Sequence, residues 1–195
     1  MEANDLLIAL NRQVAPSVVV KQAARAPEEF DARRSATARR YRYLVWNGPV
    51  ADPLLAPIAW HVTGELDLKR MAAAADVLVG EHDFGAFCRR PPGAARGDAV
   101  LRRVRRAGWS VARDTEANDA NAGPIETGRL LRFEIEADSF CHQMVRSLVA
   151  LLVEVGKGIP TAADVVTSLR TGNRAGLPAP APPNGLCLVS VSYLV

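Results

Sequence analysis

The chain has 195 residues, enough to bury a sizeable hydrophobic core as one domain or one and a half. Apolar residues make up 49% and charged residues 23% of the sequence, the ordinary composition of a soluble globular protein. The first residues do not read as a secretion signal, and no apolar run is long enough to cross a bilayer. We therefore expect no membrane partner.

The three cysteines, Cys88, Cys141 and Cys187, are odd in number, far apart and without a C-x-x-C pair. This pattern argues against a disulfide framework and against a zinc site. The sequence therefore predicts a reduced, cytoplasmic protein.

The positive charge is carried almost entirely by arginine. Of 24 basic residues only Lys21, Lys69 and Lys157 are lysine, and the formal net charge is +3. Because the planar guanidinium suits bidentate contacts to phosphate, the composition favours RNA or another phosphate-rich partner. An arginine-rich coding bias would explain the same composition.

Two short elements are predicted before residue 35. Residues 4–11 look like the last turns of a helix, and residues 17–21 like a short strand. We expect residues 1–34 to be the remnant of an N-terminal half and a linker, and residues 35–195 to form one domain.

Residues 35–46 favour a strand, since they are rich in aromatic and β-branched side chains. Strand alternation places Tyr41 and Tyr43 on one face and Arg40 on the other. Asp67 is predicted to cap a helix that runs to about residue 79.

Two further strands are expected at residues 100–111 and 129–137, the second with clear alternation of apolar and charged residues. A polar linker over residues 114–128 joins them. A basic loop rich in proline and glycine, residues 89–97, precedes them.

Residues 139–158 predict a long helix, with Ser139 as its N-cap and Gly156 near its end. The helix is apolar on all sides and should be buried. Arg146 interrupts one of these apolar faces. Because removing one partner of a buried ion pair costs about 3–5 kcal/mol, this arginine should have a carboxylate close by.

Thr161 and Asp164 predict a capping pair for another helix ending near Gly172, and residues 186–193 predict a final strand. From residue 35 the order is strand, helix, strand, strand, helix, extra helix, strand. This is the split β-α-β-β-α-β arrangement of the ferredoxin-like α+β class, an antiparallel sheet with helices on one face.

Four stretches, in order, resemble the tRNA pseudouridine synthase A family. The first, residues 30–43, contains Ser-Ala-Thr-Ala-Arg-Arg-Tyr-Arg-Tyr, and the second is Leu-Val-Gly-Glu-His-Asp-Phe-Gly-Ala-Phe at 78–87. The third is the helical segment 139–156, and the fourth is Gly-Leu-Cys-Leu-Val at 185–189. Four ordered matches are more specific than any one of them.

The resemblance implies isomerisation of uridine to pseudouridine in the anticodon stem-loop of tRNA by a homodimer, without metal or cofactor. Tyr41 would stack on the target base and assist removal of its proton, and Arg146 would pair with the catalytic aspartate. Leu186 would line the uracil pocket. The further residues implied to contact RNA phosphates are Arg33, Arg39 and Arg40.

Without the resemblance, Tyr41 would be taken as a core or cross-strand aromatic residue. Arg146 could form a structural ion pair, for which the candidate partners are Glu134, Glu136 and Glu154.

The family's catalytic aspartate stands in a Gly-Arg-Thr-Asp-Ala-Gly-Val-His-like motif that this sequence lacks. Asp98 follows Arg96-Gly97 but lies in a loop at the wrong place in the order. Asp31 and Arg34 also replace the histidine and phenylalanine common in the family. We therefore expect the chain to be the C-terminal, RNA-binding half of a pseudouridine synthase fold. We expect this chain alone to be inactive. The alternative is a non-catalytic RNA-binding module on the same fold.

Overall fold

The computed structural model describes residues 2–89, 99–114 and 128–193. The chain divides into two units, Met1–Ser35 and Ala36–Val195. The predicted basic loop and polar linker fall largely outside the described residues, and Asp98 lies outside them altogether. None of the described helices is long and apolar enough to cross a membrane.

The first unit contains one helix, α1, at Ala3–Val14. The strand predicted at residues 17–21 does not form. Instead, the Asn11 side chain donates to the Val20 carbonyl and accepts from its N–H, both at 2.8 Å. A single asparagine thus satisfies the backbone groups that a neighbouring strand would otherwise bond.

The described residues of the second unit form a six-stranded sheet and three α-helices. Its elements are β1 (Ala36–Asn47), β2 (Trp60–Val62), α2 (Leu68–Asp76), β3 (Gly80–Asp83), β4 (Leu101–Asp114), β5 (Arg129–Ala137), α3 (Met144–Gly156), α4 (Ala162–Thr171) and β6 (Leu186–Tyr193). Short 3-10 turns at Gly85–Phe87 and Pro183–Gly185 complete it.

The sheet order is β2-β1-β5-β4-β3, and β6 also pairs with β1. All pairs are antiparallel except β1 with β2. The four longest strands therefore lie in the order β6-β1-β5-β4, the arrangement of a split β-α-β-β-α-β unit, and the predicted fold class is confirmed. Neither β2 nor β3 was predicted, because three or four residues carry too little periodicity to detect.

The core lies between the sheet and α3. Tyr43, Phe133 and Ile135 are at most 1% exposed on the sheet, as are Leu148 and Leu152 on the helix. Eleven of the 13 residues of α3 are buried, which confirms the prediction of a helix that is apolar on all sides.

Capping residues mark where α2 and α4 begin. Asp67 accepts from the N–H groups of Lys69 and Arg70 and starts α2 as predicted, although the helix ends three residues earlier, at Asp76. Thr161 and Asp164 form the predicted capping box of α4, and Gly172 ends it in the left-handed conformation.

The predicted start of the long helix is wrong: α3 begins at Met144, five residues after Ser139. Two contacts hold the intervening segment against residues 84–89. A disulfide joins Cys88 to Cys141, and the Arg89 N–H donates to the His142 carbonyl at 2.9 Å. The disulfide also corrects the expectation that the cysteines are unpaired, since only Cys187 is free.

Candidate active site

A cavity of about 410 Å³ opens at the N-terminal end of α3. We call it the Tyr41 pocket. Its walls come from β1, the segment 140–143, the first turn of α3 and the start of β6; the lining residues are Tyr41, Phe140, Cys141, His142, Gln143, Met144, Val145, Arg146, Pro183 and Leu186. Tyr41, Arg146 and Leu186, three residues singled out from the sequence, thus line one cavity.

Tyr41 lies in the middle of β1, between Ile135 of β5 and Leu188 of β6. Its ring meets Phe140 edge to face, with the ring centroids 5.0 Å apart. Opposite Tyr41 the register of β6 shifts by one residue at Val189, a bulge of the kind that redirects side chains beside functional sites. The tyrosine is half-buried, so part of its ring remains available to the cavity.

Arg146 has a carbonyl for a partner, not a carboxylate. Its Nε donates to the Ala181 carbonyl at 2.6 Å, and the Ala181 N–H donates back to the Arg146 carbonyl at 3.1 Å. In the described ranges no carboxylate lies within 4.0 Å of this guanidinium. Both terminal nitrogens are therefore without a described acceptor.

The structural ion pair considered for Arg146 is absent from the described part of the chain. Glu136 pairs with Arg106 at 2.6 Å, and Glu154 pairs with Lys157 at 2.8 Å. Among the described residues, no salt bridge joins Glu134 to Arg146.

Tyr43 fastens the segment that leads into β6. Its hydroxyl donates to the Pro182 carbonyl at 2.6 Å, and its ring lies so close to Gly185 that a Cβ there would be 2.6 Å from it. Burial raises the pKa of Tyr43, and the nearby charge of Arg146 opposes this only in part. The face of Tyr43 was predicted from strand alternation, but this contact was not. The sequence signal for this contact was Gly185, directly before the strand, because a glycine there often marks the close approach of another group to the backbone.

The three arginines implied to contact RNA occupy different positions. Arg39 shares the face of Tyr41 and donates to the Asp138 carbonyl at 2.9 Å, at the start of the segment that lines the pocket. Arg40 points to the other face of the sheet, where it lines a groove with Arg106 and Arg132. Arg33 lies in the first unit, in a turn whose N–H groups bond to the Asp31 carboxylate and lower its pKa.

Comparison with known sequences identifies the class of protein. The family model of tRNA pseudouridine synthase matches residues 74–194. The chain belongs to the tRNA pseudouridine synthase family.

The relatives of this chain carry a more specific name than the family model does. The chain is 34% identical to tRNA pseudouridine synthase A of Syntrophotalea carbinolica over 94% of its own length and 66% of the relative's. It is 34% identical to the Methylacidiphilum infernorum protein of the same name, over 99% of the chain and 69% of that relative. The Solidesulfovibrio magneticus protein of this name is 40% identical over 95% of the chain and 63% of the relative. The chain thus spans about two thirds of the length of these relatives.

Replacement of Arg146 measures whether its partner lies within the chain. We expect Arg146→Met to lower the free energy of unfolding by less than about 3 kcal/mol, because only one hydrogen bond from a charged group to a carbonyl is lost. Urea unfolding gives the value. Arg132→Met is the control, since that half-buried arginine also donates to a neutral oxygen, Ser110 Oγ. A loss of about 3–5 kcal/mol would instead reveal a carboxylate partner in the chain.

The raised pKa of Tyr43 predicts a pH dependence of stability. Above about pH 10 the unfolded chain loses the proton of this tyrosine while the folded chain keeps it, so stability falls by about 1.4 kcal/mol per pH unit. Tyr43→Phe should remove this contribution and leave a shallower decline between pH 10 and 11. Urea unfolding of both proteins at pH 8, 10 and 11 measures it, and equal slopes would contradict the assignment.

Proposed function

We propose that this chain serves the isomerisation of uridine to pseudouridine in tRNA, and that the Tyr41 pocket receives the target base. The observation that carries the proposal is the meeting of Tyr41, Arg146 and Leu186 at one cavity. These residues come from β1, α3 and β6, which are far apart in the sequence. Each matches a position where the family has a residue at the base or at the catalytic aspartate.

The pocket suits a base that has left the nucleic-acid stack. Extruding a nucleotide costs a few kcal/mol, which contacts in the pocket must offset. The partly exposed Tyr41 ring supplies a face for a planar base, and Leu186 supplies an apolar wall. Stacking on an aromatic side chain contributes about 1–3 kcal/mol per base.

The reaction replaces the bond between the sugar and N1 of the base with a bond between the sugar and C5 of the base. A carboxylate attacks the nucleoside, the bond from C1′ to N1 of the base breaks, and the base turns. C1′ then bonds to C5 of the base, and the bond to the carboxylate breaks. The hydrogen at C5 leaves as a proton while N1 takes up a proton, so the product is an isomer of uridine. We propose that Tyr41 assists this proton removal.

Arg146 would hold the attacking carboxylate. Its two terminal nitrogens have no described acceptor, and a guanidinium can bind a carboxylate through two parallel hydrogen bonds. The adjacent positive charge would keep the carboxylate ionised and therefore nucleophilic. We propose that the aspartate is supplied by a segment other than the described residues, since the family's Arg-Thr-Asp motif does not occur in this sequence.

The tRNA backbone would follow the arginines of β4. Arg103, Arg105 and Arg106 are exposed on this strand, and Arg102 is half-buried there. Only Arg106 of these has a carboxylate partner among the described residues. We also propose a homodimer and a cytoplasmic location, which rest on the family resemblance alone.

Binding and turnover of RNA test the proposal. We expect the chain to bind an anticodon stem-loop RNA and to release no tritium from tRNA labelled at C5 of uridine. Tyr41→Ala should weaken binding roughly 5- to 100-fold through lost stacking, whereas the matched variant Tyr41→Phe should bind like the wild type. Binding would be measured by fluorescence anisotropy.

The outcomes separate the two candidate functions. Equal binding by Tyr41→Ala and Tyr41→Phe would show that the cavity is not the base site. Tritium release by the chain alone would locate a nucleophile within it. Binding without turnover, even when a relative's segment bearing the Arg-Thr-Asp motif is added, would favour the non-catalytic RNA-binding module.

The β4 arginines predict a salt dependence. Each phosphate contact contributes about 0.7–0.9 to the slope of log affinity against log salt concentration. Replacing both Arg103 and Arg105 with alanine should therefore reduce the slope by about 1.4–1.8. Replacing two exposed helix arginines, Arg12 and Arg170, is the control and should leave it unchanged. An unchanged slope in the β4 variant would show that these arginines do not contact the RNA backbone.

A further inference from the structure

Gln143, immediately before α3, has an unusual backbone conformation. Its φ is 66° and its ψ is 1°, and it is the one residue other than glycine with positive φ in the described ranges. It occupies the third position of a turn that the Met144 N–H closes by donating to the Cys141 carbonyl at 3.2 Å. Glycine or asparagine normally fills such a position, because a side chain is strained there. Strain of this kind concentrates at functional sites.

Helix capping does not account for the glutamine. Gln143 is the N-cap of α3, yet its side chain makes no capping hydrogen bond. No hydrogen bond to its amide is found within residues 2–89, 99–114 and 128–193. A glycine would allow the turn with less strain, so the turn itself does not require this side chain.

The position of Gln143 relates it to the pocket. It is half-buried, lines the Tyr41 pocket and precedes Arg146 by three residues. Its backbone is fixed on both sides: the Cys88–Cys141 disulfide and the bond from the Arg89 N–H to the His142 carbonyl precede it, and its own carbonyl accepts from the Ser147 N–H at 3.0 Å. A side chain on such a fixed backbone is well placed to hold a ligand in one orientation.

We infer that Gln143 binds the uracil edge through its side-chain amide and so orients the target base in the Tyr41 pocket. The inference rests on the proposed function of that pocket. Uracil presents an N3–H donor between two carbonyl acceptors, and an amide carries one acceptor and two donors. The Gln143 oxygen can therefore accept from N3–H while its nitrogen donates to a neighbouring carbonyl. Tyr41 would then hold the face of the base and Gln143 its edge.

A cycle of protein and base changes tests this contact. The RNA is an anticodon stem-loop with either uridine or 3-methyluridine at one unpaired loop position, since the methyl group removes the N3–H donor. The proteins are the wild type, Gln143→Gly, which removes the amide and relieves the backbone, and Gln143→Asn, which keeps an amide and tolerates the left-handed conformation.

We expect the wild type to bind the uridine RNA roughly three- to ten-fold more tightly than the methylated RNA, the range for one or two hydrogen bonds. Gln143→Gly should bind the two RNAs alike and should melt no lower than the wild type. Gln143→Asn should retain the preference. A preference in Gln143→Gly equal to that of the wild type would overturn the inference, as would a lower melting temperature of this variant, because the side chain would then be holding the turn.

Together with the Tyr41 variants described above, the same binding experiment distinguishes failure of the inference from failure of the proposed function. If the wild type binds neither RNA, or if its binding does not depend on Tyr41, the proposed function fails. If binding depends on Tyr41 but methylation affects Gln143→Gly as it affects the wild type, only the assignment of Gln143 fails.

Discussion

The guanidinium of Arg146 is the constraint on which the arrangement of the pocket depends. The other residues of α3 are nearly all buried and apolar. The charge of Arg146 must therefore reach polar atoms at the end of that helix. The Ala181 carbonyl meets this need in part, and the paired backbone bond from Ala181 to Arg146 fixes the segment before β6 to the first turn of α3. A carbonyl carries only a partial charge, however. The remaining donors of Arg146 have no acceptor among the described residues and can bind a ligand at the cavity.

Tyr43 completes this arrangement from the sheet. Its hydroxyl bonds to the residue after Ala181, and its ring leaves no room for a Cβ at Gly185. The segment 181–185 is thus held by α3 at one end and by β1 at the other. Leu186, the next residue, takes its place at the cavity because of these contacts.

Most of the fold could be predicted because its signals are local. The bounds of β5 and β6 agree with the prediction because apolar alternation or β-branched residues fill each strand, and α4 agrees because its capping box is visible as Thr161 and Asp164. The start of α3 was missed because Ser139 is a plausible cap on its own, whereas the disulfide that redirects the chain joins residues 53 apart. Contacts across such distances leave no mark in the spacing of residues. For the same reason the bond from Tyr43 to Pro182 could not be predicted.

Three departures from local rules lie side by side in the sequence, which bears on how the site is built. Within the described ranges, the left-handed Gln143, the helix start without a side-chain cap and the arginine without a carboxylate fall within residues 143–146. The caps of α2 and α4 and the burial of the core, by contrast, agree with one another. Sequences normally favour such agreement, so features that cost stability persist where function requires them. Four residues beside one cavity carry these costs, and the buried core of α3 that follows them supplies the stability to offset them.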